Sequence, residues 1–433
     1  MDITYIRNKR KSIVFMLFLY MVINFADKAV LGIVSTFIMQ DLNLSASEYG
    51  LIASSFFFFF FISGIVFGFL SNQFSTKWII ALLVFIWSVT QLPIVFWPSF
   101  WVLLICRILL GIGEGPAYPV AIHALYKWFP DQQRNRVTAI IAQGGPVGIV
   151  CAAPLLAWFT ESYGWKNTFL CLSLIGAIWL IFWWSISKEG PLDQYAIMTT
   201  DTSKPMVVSY KKLILNRSIL GVAFLSFAAY WILALLLTWL PTYLTLGFGV
   251  SLLNMSIWMA AIVLITIPMS LGGAAFSQYL FNKGYSTRYS RAVLVSVFVF
   301  LGGLCTFLAV TSGQGRLGIF FLLALGFAFP NLAFSLGPTI IAEIVPAQQR
   351  GALLAIVHSI ATSAGVISPL VTGWMIDRAS MPLAGYTQAY LLAASLLCIA
   401  GMLGCVLIQP AQTRQKIIAN QKANSDIGHI PLP

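Results

Sequence analysis

The chain consists of long apolar runs separated by short polar segments, and this pattern restricts the folds open to it. A helix needs about 20 apolar residues to cross the hydrocarbon core of a bilayer. Inside lipid, only helices and closed barrels satisfy every backbone polar group. We therefore predict an all-α polytopic membrane protein with twelve transmembrane helices, near residues 13–38, 48–71, 78–97, 100–126, 137–160, 166–187, 218–246, 252–280, 292–312, 317–342, 351–376 and 386–409.

The composition agrees with a membrane protein. Of the 433 residues, 59% are hydrophobic and 9% are charged, whereas roughly a quarter of a soluble domain is charged. The first apolar run is too long, and too soon followed by others, for a cleaved signal peptide. All six cysteines fall inside apolar runs and show neither metal-ligand spacing nor a disulfide framework. We expect them to serve as small packing residues.

The distribution of basic residues predicts the orientation in the membrane. Most lysines and arginines lie at the termini and in the even-numbered loops, and the odd-numbered loops carry only Lys166, Arg316 and Arg378. By the positive-inside rule both termini are cytoplasmic, and we expect the host to be a bacterial inner membrane. The net charge of +12 then reflects topology and contact with anionic lipid. Because the basic residues are spread over separate loops, nucleic acid is not expected as a partner.

An internal repeat predicts two pseudo-symmetric six-helix bundles. Pro-Asp-Gln-Gln-Arg at 130–134 follows the fourth run, and Pro-Ala-Gln-Gln-Arg at 346–350 follows the tenth. Gln143 and His358 occupy equivalent positions in the fifth and eleventh runs. Parallel repeats of this kind are typical of transporters that bind their substrate between the halves. The predicted domains are an N-terminal bundle, a cytoplasmic linker, a C-terminal bundle and a cytoplasmic tail, at 1–187, 188–217, 218–409 and 410–433.

The most informative segment within the spans runs from Arg107 to Pro119. An ion at the bilayer centre costs roughly 2.5–3.5 kcal/mol on insertion scales, so it is seldom found without a partner or a wet cavity. Arg107 and Glu114 are seven residues apart and project from one helix face. Three glycines allow close helix packing and two prolines loosen the backbone: Gly111, Gly113, Gly115, Pro116 and Pro119. We interpret the helix as lining a polar cavity, the alternative being an Arg–Glu pair that only locks the bundle.

Asp27 and Lys28 are two further ions, in the first span. Since they are adjacent, their side chains diverge by about 100° on a regular helix, so one could face a cavity and the other its wall. Lys28 could instead merely pair with a carboxylate. A carboxyl group in a low-dielectric cavity beside a cation changes its protonation as its exposure and partners change. Asp27 and Glu114 are therefore candidate proton-coupling groups.

Several motifs resemble one transporter family. They are Asn24-Phe-Ala-Asp-Lys28, the segment Arg107–Pro119, Lys127-Trp-Phe-Pro130 with Arg134, and Thr238-Trp-Leu-Pro-Thr-Tyr-Leu244. Together they resemble the anion:cation symporter branch of the major facilitator superfamily, which includes bacterial galactonate, glucarate and hexuronate permeases, vesicular glutamate transporters and sialin. The resemblance implies alternating access, protonation of Asp27 and Glu114, and a substrate-anchoring cation at Arg107 or Lys28. It implies no cofactor beyond the proton as coupling ion.

The chain departs from the family pattern at the loop between spans two and three. Asn72 stands where an acid is usual, and Ser75 replaces a glycine. Span two carries six consecutive phenylalanines, of which Phe60 is the candidate to face the cavity. A drier pocket argues against a polyhydroxylated sugar acid.

Other candidate substrate contacts are weaker. Gln143 and His358 could offer hydrogen bonds from opposite halves, although a lone histidine on an apolar helix is more often a packing residue. The remaining candidates are Tyr118, below Glu114, and three residues on the C-terminal wall: Tyr230, Phe334 and Ser335.

These observations favour a monomeric, proton-coupled symporter of a small carboxylate-bearing metabolite, by family default an organic anion. A zwitterionic or cationic amino acid such as arginine is the alternative substrate, because two acids and two bases are kept. A receptor or passive pore on the same scaffold is an alternative of another class. The polar segments carry no metal cluster, nucleophile–base set or phosphate-binding glycine loop, so an enzyme is not expected.

Overall fold

The computed structural model describes residues 3–70, 74–190, 208–313 and 315–416. Three regions discussed above lie outside the described residues: Asn72 in the loop motif, positions 191–207 of the linker, and the tail from 417 onward. The described part is helical, with no strand. Its eighteen α-helices are α1 Ile3–Ile33, α2 Ser35–Asp41, α3 Ala46–Leu70, α4 Thr76–Thr90, α5 Leu92–Phe96, α6 Phe100–Glu114, α7 Ala117–Tyr126, α8 Asp131–Tyr163, α9 Trp165–Ile186, α10 Tyr210–Ile214, α11 Arg217–Thr238, α12 Leu240–Phe248, α13 Leu252–Asn282, α14 Leu294–Thr311, α15 Arg316–Ala328, α16 Leu332–Ile344, α17 Ala347–Arg378 and α18 Pro382–Leu407, and a π-helical segment, Arg288–Val293, precedes α14.

Twelve helical segments of the described chain are long and apolar enough to cross a membrane, which confirms the predicted fold class. They are Asn8–Ile33, Ala46–Phe67, Thr76–Phe96, Phe100–Tyr126, Val137–Tyr163, Trp165–Ile186, Arg217–Thr238, Leu252–Asn282, Arg288–Thr311, Arg316–Ile344, Gln349–Arg378 and Pro382–Leu407. Large apolar side chains such as Trp97, Trp101 and Ile181 are exposed, as expected for a surface that faces lipid.

Three spans are interrupted beside a proline, because proline lacks the N–H that a continuous helix requires. α4 ends before Gln91, and Pro93 is the second residue of α5. α6 ends at Glu114, and Pro116 precedes α7. α15 ends at Ala328, and Pro330 lies between it and the start of α16 at Leu332. The interruption predicted just beyond Glu114 is therefore present, and it leaves Glu114 as the last residue of its helix.

By its contacts the chain forms two compact units. Unit 1 contains Met1–Asp201, Ala234–Leu264 and Gly365–Tyr386, and unit 2 contains Thr202–Leu233, Ile265–Ala364 and Thr387–Pro433. Unit 1 thus joins the first six spans to pieces of the seventh, eighth, eleventh and twelfth. The division into bundles at 1–187 and 218–409 is a prediction from the repeat and stays a prediction.

Candidate functional site: a buried charge cluster in unit 1

Four of the predicted ions come together inside unit 1, and we call Asp27, Lys28, Arg107 and Glu114 the charge cluster. α1 supplies the first two and α6 supplies the other two. Their exposed fractions are 1%, 8%, 3% and 0%, respectively. A buried charge is stable only when it is paired or hydrogen-bonded, so the partners of each group define the site. The polar cavity predicted around these side chains stays a prediction, since protein covers them in this structure.

Lys28 and Glu114 form the ion pair of the cluster. Lys28 Nζ lies 3.3 Å from Glu114 Oε2 and also donates to Asn24 Oδ1, one turn earlier on α1. The same ammonium lies 4.5 Å from the ring centre of Phe25 and 4.9 Å from that of Phe60, which adds cation–π attraction. Glu114 Oε1 has no hydrogen-bond partner in the described chain. Lys28 therefore has several partners, whereas one oxygen of the Glu114 carboxylate accepts no hydrogen bond.

Arg107 contacts the first span through the backbone. Its Nη1 donates to the main-chain carbonyl oxygen of Asp27 at 3.5 Å, and its guanidinium carbon lies 4.6 Å from the ring centre of Phe56. Arg107 Nε has no hydrogen-bond partner among the described residues. The guanidinium therefore retains an unused buried donor, of the kind that a bound carboxylate could accept from.

The carboxylate of Asp27 is bound by a residue that sequence reasoning missed. Gln91 Nε2 donates to Asp27 Oδ1 at 3.0 Å, and both side chains are buried. Gln91 lies at the interruption between α4 and α5. An amide inside a membrane-spanning run was the available signal, since polar groups at that depth need partners.

An aromatic pair beside the charge cluster was also missed. Tyr20 on α1 stacks on Trp87 on α4, with ring centres 4.7 Å apart. Both side chains are buried, and neither the Tyr20 hydroxyl nor Trp87 Nε1 has a hydrogen-bond partner in the described chain. Buried polar atoms without protein partners are where ordered water or a polar ligand is expected.

Close packing of α3 on α6 holds the charge cluster in place, as the glycines of α6 predicted. A Cβ atom at Gly111 would meet the carbonyl oxygen of Phe56, and one at Gly115 would meet that of Phe60. Ser63 also donates from its hydroxyl to the Gly111 carbonyl at 3.2 Å. The two backbones approach so closely that the rings of Phe56 and Phe60 reach the two cations.

Two of the other predicted contacts belong to unit 1 and four belong to unit 2. In unit 1, Gln143 on α8 is half-buried and Tyr118 on α7 is exposed. In unit 2, the rings of Tyr230 and Phe334 meet edge to face at 6.2 Å, Ser335 shares a 2.8 Å hydrogen bond with Ser270, and His358 is exposed. Within unit 1, the structure thus brings the charge cluster and Phe60 together. No group of three or more metal-ligating side chains occurs among the described residues.

The twelve long apolar helices of the described chain indicate an integral, multi-pass membrane protein. The sequence model described as the Major Facilitator Superfamily matches residues 16–329, so the chain belongs to that family. It is a membrane transporter of a small molecule and not an enzyme.

Similar proteins support this assignment. The chain is 30% identical over 413 residues to the hexuronate transporter of Bacillus subtilis (strain 168), covering 92% of this chain and 94% of the relative. It is 26% identical over 396 residues to the probable galactarate/D-glucarate transporter of Escherichia coli (strain K12), covering 85% and 88%. The fold matches a bacterial homologue of the human lysosomal transporter Spinster, in an inward-facing and occupied conformation, with a TM-score of 0.79, 18% identity and coverage of 94% and 98%.

Proposed function

We propose that the protein is a proton-coupled symporter that carries a small organic anion across a bacterial inner membrane. It acts as a monomer with both termini in the cytoplasm and uses no cofactor other than the proton. The observation that carries the proposal is the fully buried Glu114 carboxylate, 3.3 Å from the ammonium of Lys28. The names of the similar transporters support the organic anion, since hexuronate, galactarate and glucarate are all carboxylates.

The coupling follows from the charge balance of this pair. A proton that binds Glu114 removes the counter-ion of Lys28 and leaves a buried cation unpaired, which is costly. A substrate carboxylate can then replace Glu114 as the partner of Lys28. Proton binding and anion binding therefore favour each other, and this reciprocity is the thermodynamic basis of symport. Arg107 supplies a second cation, and the rings of Phe56 and Phe60 form an apolar wall beside both cations.

Uptake into proteoliposomes tests the function directly. The purified chain is reconstituted and offered D-glucuronate, D-glucarate and L-arginine, with and without an inward proton gradient. We expect accumulation of an organic anion against its gradient, and its loss when a protonophore is added. Downhill flux that a protonophore leaves unchanged would favour the passive pore, and binding without flux would favour the receptor.

The variant Glu114→Gln separates coupling from binding. The amide resembles a permanently protonated acid, so an organic anion should still bind and exchange across the membrane, while proton-driven accumulation is lost. Binding of arginine, whose cationic end would need an acid, should weaken instead. Glu161→Gln, at an exposed position on α8, is the matched control and should behave as wild type. Full proton-driven accumulation by Glu114→Gln would contradict the coupling role.

A further inference from the structure

Within the described chain, Gln91 is the only residue whose side chain donates a hydrogen bond to the Asp27 carboxylate. The Nε2–Oδ1 distance is 3.0 Å, and Gln91 Oε1 has no hydrogen-bond partner in the described part. The charged groups that act on Asp27 are Glu114, Arg107 and Lys28. Arg107 donates to its main-chain oxygen, and Lys28 is directed to Glu114. The Asp27 carboxylate is therefore bound by a neutral amide rather than by a cation.

An amide is suited to a carboxyl group that changes its protonation. It donates through its nitrogen to an ionised carboxylate, and after rotation it accepts through its oxygen from a protonated one. The unpartnered Oε1 of Gln91 is available for the second arrangement. Gln91 lies at the break between α4 and α5, so its side chain extends from backbone outside the two regular helices.

We propose that Gln91 is a positioning residue that keeps Asp27 hydrogen-bonded both when Asp27 is ionised and when it is protonated. This inference rests on the proposed proton coupling only in taking Asp27, which the sequence predicts as a proton-coupling group beside Glu114, as a group that exchanges protons. Asp27 touches the transported proton, and Gln91 acts through Asp27. Leucine at position 91 would remove the hydrogen bond to Asp27 in both protonation states. The ionised state would lose more, because hydrogen bonds to a charged group are the stronger ones.

Infrared difference spectroscopy of the reconstituted full chain, recorded between about pH 5 and pH 9, tests this without any substrate. We expect a carbonyl band of a protonated carboxylic acid that disappears in Asp27→Asn. In Gln91→Leu that band should move to a frequency typical of a weaker hydrogen bond. The pH of half-protonation should rise by about one unit, from the usual strength of a charge-assisted bond. Gln278→Leu, which removes an exposed amide on α13, should change neither.

The outcomes separate this inference from the proposed function. An Asp27 band that Gln91→Leu leaves unchanged overturns the role of Gln91, whatever the transport assays give. Absence of any band assignable to Asp27 overturns it as well. If the wild type shows no proton-driven transport but Gln91→Leu still changes the Asp27 band, the symport proposal is rejected and Gln91 remains the partner of Asp27.

The start of α3 is bound by a carboxylate from a distant part of the chain. The Ala46 and Ser47 N–H groups donate to Oδ1 and Oδ2 of Asp377, at 3.0 and 2.8 Å. Asp377 lies near the end of α17, 331 residues from Ala46. The first N–H groups of a helix have no partner within the helix, and a carboxylate there is further stabilised by the helix dipole. Asp377, from the eleventh span, thus caps α3, the helix of the second span.

The same helix has a second cap of its own. Glu48 accepts from the Ser45 N–H at 2.9 Å, and the Ser45 hydroxyl accepts from the Glu48 N–H at 3.2 Å. This reciprocal pattern is a capping box, which stabilises a helix start locally. The start of α3 therefore does not depend on Asp377 to remain helical.

Backbone contact accompanies the remote cap. A Cβ atom at Gly50 would meet the carbonyl oxygen of Pro369, and one at Gly373 would meet that of Ala46. The glycines on both helices allow the ends of α3 and α17 to touch without intervening side chains. We infer that Asp377 is a removable latch, which holds α17 against α3 in this conformation and releases it with α3 still folded.

Thiol accessibility tests the latch. Ala53 is buried and lies seven residues after Ala46, on the same face of α3. The variant Ala53→Cys, with the native cysteines as background, is treated with a membrane-impermeant maleimide. Asp377→Ala should speed its labelling several-fold. Asp41→Ala is the matched control, since Asp41 on α2 accepts from Trp165 Nε1 on α9 at 2.7 Å, and it should leave labelling unchanged.

Two results would overturn the latch. One is equal labelling in Asp377→Ala and its parent. The other is an equal increase in Asp41→Ala, which would indicate general loosening. Circular dichroism distinguishes release from unfolding, because the helix content should be the same in all three chains.

Discussion

The ammonium of Lys28 lies 3.3 Å from the carboxylate of Glu114 in a part of unit 1 that solvent does not reach. Removing one member of a buried ion pair typically costs about 3–5 kcal/mol, because it leaves the other charge uncompensated. We therefore expect Lys28→Met to lower the thermal unfolding midpoint of the detergent-solubilised chain by several degrees. Lys28→Met combined with Glu114→Gln removes both charges and should recover most of the loss. Additive effects of the two substitutions would show that the pair is not coupled.

Arg107 should not tolerate replacement by lysine. Its guanidinium both donates to the Asp27 carbonyl and lies over the ring of Phe56, and the compact ammonium of lysine lacks the planar fork for both. We expect Arg107→Lys to slow anion uptake into proteoliposomes at least tenfold while expression is kept. Lys166→Arg, which changes a basic residue at the start of α9, should leave uptake unchanged. Uptake at the wild-type rate would show that Arg107 serves only as a positive charge.

The elements that local sequence predicts best are the spans, together with the interruption after Glu114. About 20 apolar residues suffice for a membrane crossing wherever they occur, so all twelve spans could be predicted. Their ends were less certain: the first was predicted at 13–38, whereas the span is Asn8–Ile33 and α2 follows it. The interruption after Glu114 was predictable because Pro116 has no backbone N–H with which to continue the helix, although Pro146, Pro154, Pro268, Pro338 and Pro369 lie inside continuous helices.

The partners within the site were harder to predict because they depend on tertiary packing. The sequence identified Asp27, Lys28, Arg107 and Glu114, since ions inside a span need a partner. It did not show that Gln91 binds Asp27 across 64 residues, or that Asp377 reaches Ala46 across 331. Both contacts depend on which helix faces lie together, and neither helix determines that alone. The roles of the predicted site residues stay predictions.

Gly111 should be sensitive to the addition of a single methyl group. A Cβ atom at this position meets the backbone oxygen of Phe56, which cannot rotate away. Overpacking of this kind costs typically 1–3 kcal/mol, so Gly111→Ala should lower the unfolding midpoint and slow uptake. Gly272→Ala is the control, because nothing lies within 4 Å of a Cβ atom at that helical glycine. Alanine favours a helix over glycine, so this control should be neutral or stabilising, and equal losses in both variants would exclude the proposed close approach.

Glu189, outside the spans, gives a prediction about pH. Burial raises the pKa of its carboxyl group, but the Lys77 N–H, the Ser75 hydroxyl and Lys127 stabilise the ionised form more strongly, so the pKa is lowered overall. A lowered folded-state pKa contributes stability that is fully present above the unfolded value, which is about 4.3 for glutamate. That contribution is lost as the pH falls through the folded-state pKa. Glu189→Gln should therefore unfold at a lower temperature than wild type at neutral pH, and the difference should shrink below about pH 4. Glu48→Gln, which alters the local capping box of α3, controls for general acid effects. A difference in unfolding temperature between wild type and Glu189→Gln that persists unchanged below pH 4 would show that the charge of Glu189 is not what stabilises the start of α4.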